Sequence, residues 1–215
     1  MPPIGNDIVD LADPENIGKS KDRRFCSRVF NNEELSMIAN SAQPDRFLWA
    51  IWAAKEAAYK AISRREPTVC SIPQRYPVII EDESARRMSV CRQGISTCLD
   101  GTITTPQGEL AVAISLDEEI IYAVAAQTVE VLAGIVSRVE RVDPAKDDPS
   151  DVARRILLEE IARRFGWSTD DLSVIKEKSG PGIPFVVFRG QKLFAEISLS
   201  HDGRFVSFAF DPSTF

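Results

Sequence analysis

An α+β fold made of two similar halves, 1–130 and 131–215, is what this sequence predicts. Three observations predict it. Amphipathic helical stretches and β-branched strand-like stretches are both present, the order strand, helix, sheet runs twice along the chain, and segments of the second half match segments of the first. Ile114-Ser115-Leu116-Asp117-Glu118 aligns without gaps on Ile197-Ser198-Leu199-Ser200-His201, and Tyr122-Ala123-Val124-Ala125 on Phe205-Val206-Ser207-Phe208. Gly5-Asn6-Asp7-Ile8-Val9 aligns on Gly134-Ile135-Val136-Ser137-Arg138, and a helix over 45–63 on another over 151–165. Two such halves would pack about a pseudo-twofold axis.

Each element has its own reason. Ile8-Val9-Asp10-Leu11 predicts a short first strand, ended by Asp13-Pro14 and Gly18, and a polar basic stretch follows. Asn31-Asn32 ahead of Glu33-Glu34-Leu35 has the form of a helix start, since an Asn side chain accepts from the free N–H groups of a first turn. Pro44-Asp45 opens a longer helix reaching Ser63, on which Phe47, Leu48, Ile51, Trp52, Ala58, Tyr59 and Ile62 form one apolar stripe. Between Pro67 and Gln127, the segments Val78-Ile79-Ile80, Ser89-Val90, Ile95-Ser96-Thr97 and Ala111-Val112-Ala113-Ile114 are separated by turn signals such as Asp100-Gly101 and Pro106-Gln107-Gly108, the signature of an antiparallel sheet. A strand over 134–142, a polar surface loop over 143–149, a helix over 151–165 and strands near 183–188, 193–199 and 205–210 complete the second half.

Composition narrows the function classes. With 215 residues, 44% hydrophobic and 27% charged, the chain can bury a substantial core, which excludes disorder, collagen and coiled coil. A formal charge of -6 argues against general duplex binding through phosphate neutralisation. The start Met1-Pro2-Pro3-Ile4-Gly5 lacks the pattern of a secretion signal, and no apolar run approaches the roughly 18 residues of a membrane span, so a cytoplasmic protein is expected. Cys26, Cys70, Cys91 and Cys98 show no metal-ligand spacing and are expected to be free thiols.

Helical spacing puts Lys55 in the middle of the apolar stripe, where its ammonium must either reach water along its stem or meet a buried anion. Glu56 lies at the stripe edge with Lys60 four residues on, a surface ion pair by default. Asp7 is an acid inside a short apolar strand. Two carboxylates brought together from separate elements repel unless a cation lies between them, and hard oxygen ligands suit Mg²⁺.

At this point the residues resemble a family. Gly5-Asn6-Asp7-Ile8-Val9-Asp10-Leu11 is similar to the GxDIVxx opening of 4′-phosphopantetheinyl transferases. The stretch from Arg46 through Trp49, Trp52, Lys55-Glu56-Ala57 and Lys60 resembles their W-x-x-KEA-x-x-K helix, and Gly182-Ile183-Pro184 with Ser198-Leu199-Ser200-His201-Asp202 their G-x-P and S-x-SH segments. Arg23-Arg24-Phe25-Cys26-Ser27-Arg28-Val29-Phe30 and Asn31-Asn32-Glu33-Glu34 also resemble the short holo-acyl-carrier-protein synthase type. Short members assemble as trimers, whereas longer members fuse two units, and the internal repeat aligns this chain with the fused kind, which implies a monomer. Two departures stand out: Val9 occupies the place of the longer type's second acid, and Ile183 that of the usual basic residue between Gly and Pro.

The resemblance implies transfer of phosphopantetheine from coenzyme A to a carrier-protein serine, with release of 3′,5′-ADP. It assigns Mg²⁺, held directly or through water, to Asp7 and Glu56, proton abstraction to Glu56 or a metal-bound water that it orients, and phosphate contact and tuning of Glu56 to Lys60. Lys55, Ser200, His201, Lys176 and Lys178 are the further coenzyme A contacts it suggests. Arg23, Arg24 and Arg28, with Lys19 and Lys21, form a basic cluster fit to steer an acidic carrier. In the repeat alignment Asp7 meets Val136, Glu56 meets Ile161, and Ser200-His201 meet Asp117-Glu118, so one composite site across the seam is expected and the opposite seam should be inert. A coenzyme A or carrier binding module without turnover is the principal alternative, and a nucleoside-diphosphate hydrolase a weaker one, since no glutamate-rich helix of that kind occurs.

Overall fold

The computed structural model describes residues 2–66, 68–80, 97–176 and 182–215. The expected strands at Ser89-Val90 and Ile95-Ser96, together with Cys91, Lys178 and Gly180-Pro181, lie outside the described residues.

In the first half, β1 (Ile4–Asp10) leads through α1 (Arg23–Val29) and α2 (Asn32–Asn40) to the long α3 (Pro44–Ser63). β2 (Val78–Ile80), β3 (Thr97–Thr105), β4 (Gly108–Leu116) and β5 (Ile120–Ala126) then return to make an antiparallel sheet in the order β1-β5-β4-β3-β2. The expected start at Asn31 is a full capping box, with its side chain accepting from the Glu34 N–H and Glu34 accepting from the Asn31 N–H. α1 forms within the stretch read as merely polar and basic. Asp22 caps it, and Cys26 and Val29 give it a buried side too short to show as a stripe.

In the second half, the short α4 (Val129–Gly134) and β6 (Val136–Arg141) precede α5 (Pro149–Phe165), β7 (Leu172–Lys176), β8 (Pro184–Phe188), β9 (Gln191–Lys192), β10 (Ile197–Asp202) and β11 (Phe205–Phe210). Among the described residues these strands form two sheets, β10-β11-β6 and β7-β8-β9. The sequence order strand, helix, antiparallel return is thus present in both halves. The gap-free alignment is not, because it would set Val136 opposite Val206, whereas Val136 pairs with Phe210 and Val206 with Glu140. A slipped register of this kind is invisible to a repeat search that compares strands one at a time.

Three hydrophobic layers result. α3 covers one face of the first sheet, with Ile51, Ala54, Ala58 and Ile62 against Val112, Ile114, Ile121 and Ala123. α5 covers β10 and β11 through Ile156, Leu157 and Ile161 against Val206, Phe208 and Phe210. Between them the two sheets meet face to face through Ile4, Ile8, Tyr122 and Val124 on one side and Phe205 and Ala209 on the other. β1 is therefore buried along its whole length, which requires close approach on the α3 side. A Cβ on Gly5 would lie 2.0 Å from the Ala57 carbonyl oxygen, so only glycine lets the strand and helix touch.

The free-thiol expectation fails at Cys98, which is disulfide-bonded, while Cys26 and Cys70 are free. Cysteine spacing in a sequence carries no information on which sulfurs meet in space. No described helix is long and apolar enough to cross a membrane.

Candidate functional site

The edge of β1 is where the halves join. Because β1 pairs with β5 on one side only, its outward N–H groups need other acceptors, and β10 supplies them from side chains. The Asn6 N–H donates to Ser198 Oγ at 3.0 Å and the Asp10 N–H to Asp202 Oδ2 at 2.7 Å, while the Asn6 side chain reaches β11, its Nδ2 donating to Ser207 Oγ at 2.9 Å. Strand alternation then divides the Ser-His segment. Ser198, Ser200 and Asp202 bond to β1 and α3 side chains or backbone, while His201 points to the cleft and approaches Ser150 Oγ of α5 at 3.4 Å.

Asp7, at the middle of β1, meets α3 at the turn bearing Glu56 and Lys60. Lys60 Nζ donates to Asp7 Oδ1 at 2.8 Å, to the Asn6 carbonyl at 3.1 Å and to Ser200 Oγ at 3.0 Å. Ser200 Oγ in turn donates to Asp7 Oδ1 at 2.9 Å. Lys60 thus turns across to β1 instead of forming the default surface pair along its own helix. Burial and the Asp7 carboxylate push Glu56 up to about 7, with Lys60 acting the other way. Residues from the start of the chain, the middle of α3 and β10 are gathered in one place.

Beside this cluster lies a cleft of roughly 350 Å³. α3 contributes Tyr59, Lys60, Ser63 and Arg64; α5 contributes Ser150 and Arg154; Lys176, Ile183 and His201 close the second half's side. Four cations and one imidazole around one cleft suit phosphate groups. Burial, then Lys60 and Lys176, hold the His201 imidazole below its usual range, so it stands as a neutral ring near pH 7.

Lys55 is elsewhere. It is 1% exposed, ion-paired to Glu34 Oε1 at 2.7 Å, and its Nζ donates to the carbonyls of Pro73 at 3.0 Å and Tyr76 at 2.9 Å. Of the two outcomes open to an ammonium in an apolar stripe, it takes the buried anion, and this occupies it as a structural post away from the cleft. Asp10 is also structural. Burial acts to raise its carboxyl, but Arg204, through its guanidinium and backbone N–H, together with the Ala12 N–H outweighs that and holds it at about 2. Val9, where the longer type has a second acid, is buried in the α3-side core.

Sequence reasoning missed Arg64, Arg154 and Ser150. Arg64 follows Lys60 at i+4 on the cleft side, a spacing that marked it in principle. Its guanidinium donates to the carbonyls of Ile197 and Pro184 and approaches Glu196 at 3.4 Å, tying α3 to the second half. Ser150 and Arg154 lie on α5, which carries none of the recognisable motifs.

A family model for the 4′-phosphopantetheinyl transferase superfamily matches residues 3–115, just over half of the chain. The chain belongs to this superfamily. The match takes in Asp7, Glu56 and Lys60 and stops before the segment bearing Ser200 and His201. Among individual relatives, a holo-[acyl-carrier-protein] synthase from Aromatoleum aromaticum is 33% identical over 130 residues, covering 59% of this chain and 95% of that protein. Those from Shewanella frigidimarina and Hydrogenovibrio crunogenus are 44% identical over 62 residues and 36% over 59, each 27% of this chain. The chain spans about half the length of these two relatives, 47% and 46%.

Proposed function

We propose that the protein transfers the 4′-phosphopantetheine group of coenzyme A to a serine hydroxyl of an apo carrier protein, releasing 3′,5′-ADP and requiring Mg²⁺. The observation that carries this reading is the meeting of Asp7 and Glu56 beside a cationic cleft lined from both halves.

The donor chemistry fits a hard divalent cation. Glu56 is raised to about 7 by burial and by Asp7, so the two carboxylates lack enough compensating positive charge when alone. Mg²⁺ characteristically takes one or two carboxylates and completes its shell with water and substrate phosphate oxygens. Asp7 and Glu56 would hold it, and among the described residues no cluster of three His, Cys, Asp or Glu side chains competes with that pair. When bound, Mg²⁺ supplies charge neutralisation at the pyrophosphate under attack.

The chain's own groups do the rest. Coenzyme A's phosphates lie among Lys60, Arg154, Lys176 and His201, whose positive charge and N–H groups orient the pyrophosphate. Glu56, or a water that it orients, accepts the proton of the carrier serine. The serine oxygen forms a bond to the phosphorus bearing pantetheine while the bond from that phosphorus to the bridging oxygen breaks, and 3′,5′-ADP departs with the oxygen. Lys60, held at 2.8 Å from Asp7, keeps the acid placed and tempers Glu56. Arg23, Arg24 and Arg28 stand exposed on α1 and would guide an acidic carrier to the cleft. We assign the chain to the cytoplasm as a monomer, its two halves building the seam that otherwise needs a neighbouring subunit.

Mass spectrometry of apo carriers from fatty acid, polyketide and peptide synthesis, incubated with coenzyme A and Mg²⁺, tests the reading. A gain of one phosphopantetheine group is expected with at least one carrier, lost in Asp7→Ala and Glu56→Ala, while His201→Ala raises KM for coenzyme A. Calorimetric binding of coenzyme A with no mass gain on any carrier would instead make the protein a binding module.

A further inference from the structure

We infer that Ser200 is a positioning residue for Asp7, through which the second half sets the carboxylate of the first, and not a coenzyme A ligand. This rests on the function proposed above.

The geometry is closed. Ser200 is 6% exposed, its hydroxyl donates to Asp7 Oδ1 at 2.9 Å and accepts from Lys60 Nζ at 3.0 Å, and Lys60 donates to the same Asp7 oxygen at 2.8 Å. The hydroxyl's proton and one lone pair are both committed inside this triangle. It is absent from the cleft lining, whereas its neighbour His201 is part of it. The reason is strand periodicity. Adjacent residues of β10 face opposite ways, so Ser200 meets β1 and His201 the cleft. One oxygen of Asp7 is held by Lys60 within the first half and by this bond to β10, so docking of the halves completes its setting. Outer partners of this kind typically alter metal affinity or activity by about 10–100-fold when removed.

Ser200→Ala and Ser200→Thr test it, with Ser207→Ala as a matched control. Ser207 is equally buried and also crosses the seam, but to Asn6 instead of Asp7. Two readouts are taken: the rise in Tm that MgCl₂ alone produces in the protein without substrate, and the separate kcat and KM for coenzyme A. Ser200→Ala is expected to need about 10-fold or more MgCl₂ for half its Tm rise and to lower kcat by a similar factor, with KM for coenzyme A within about 2-fold. Ser200→Thr, which keeps the hydroxyl, restores the magnesium response, and Ser207→Ala keeps it while lowering the basal Tm. A 10-fold rise in KM with kcat and the magnesium response unchanged would overturn the inference and make Ser200 a direct ligand. An unaltered magnesium midpoint in Ser200→Ala overturns it as well. If the wild-type protein modifies no carrier, the proposed function fails while the magnesium titration still decides the role of Ser200.

Discussion

Replacing Lys55 by methionine removes a charge from the interior while nearly preserving its volume. In the native protein the ammonium has three partners, the Glu34 carboxylate at 2.7 Å and the carbonyls of Pro73 and Tyr76 at 3.0 and 2.9 Å. Removing one member of a buried pair costs about 3–5 kcal/mol, because the other charge is left uncompensated. Glu34 would still accept from the Val78 and Asn31 N–H groups, each at 2.9 Å, so its share falls at the lower end of that range. Each deserted carbonyl adds about 1 kcal/mol. Lys55→Met should therefore lose about 5 kcal/mol in urea unfolding at 25 °C, with m unchanged. Lys55→Met combined with Glu34→Gln should recover at least half of the loss, as the orphaned charge is gone. The folded fraction of Lys55→Met should keep KM for coenzyme A within about 2-fold, since the ammonium is committed elsewhere. A variant that stays within about 1 kcal/mol of wild type but loses coenzyme A binding would refute the reasoning and return Lys55 to the ligand set.

Gly5→Ala should be among the most damaging substitutions in the chain. Its Cβ would sit 2.0 Å from the Ala57 carbonyl oxygen and 2.7 Å from the Ala61 nitrogen, both helix backbone, so β1 and α3 must separate and carry Asp7 away from Lys60. Loss of transfer activity with a fall in Tm is expected, and wild-type kinetics would contradict the close approach. The metal-free protein should lose stability as pH rises. Glu56 is raised from 4.5 to about 7 on folding, so its contribution is fully present below about 4.5 and is lost as pH climbs through about 7. The span corresponds to about 3 kcal/mol, and Glu56→Gln should flatten it in a pH series of urea titrations.

The long elements were legible because each carries its own signal. Pro44 at the start and a stripe at i, i+3 and i+4 mark α3, Asn31 and Glu34 announce the capping box, and the β-branched runs with the Pro106-Gln107-Gly108 turn mark the first sheet, although Asp100-Gly101, read as a turn, lies inside β3, where both residues pair with β4. Asp7, Glu56 and Lys60 could be singled out because an acid in an apolar strand and a charged turn on an apolar helix each need an explanation. Three things could not be read. α1, α4 and β7 are too short to show periodicity, the cleft residues Ser150, Arg154 and Arg64 bear no motif, and Cys98 gave no hint of its bond.

The sequence by itself determined the long helices, the course of most strands and which side chains are costly to bury alone, while the strand expected at 193–199 begins only at Ile197. Only the tertiary structure decided how those costs are met: Lys55 by Glu34 and Asp7 by Lys60 inside the first half, Asp10 by Arg204 and Asp7 also by Ser200 across the seam. The physical reason is that local preference depends on neighbours within a few residues, whereas a buried charge finds its partner at separations such as the 193 residues between Asp7 and Ser200, set by how sheets and helices dock.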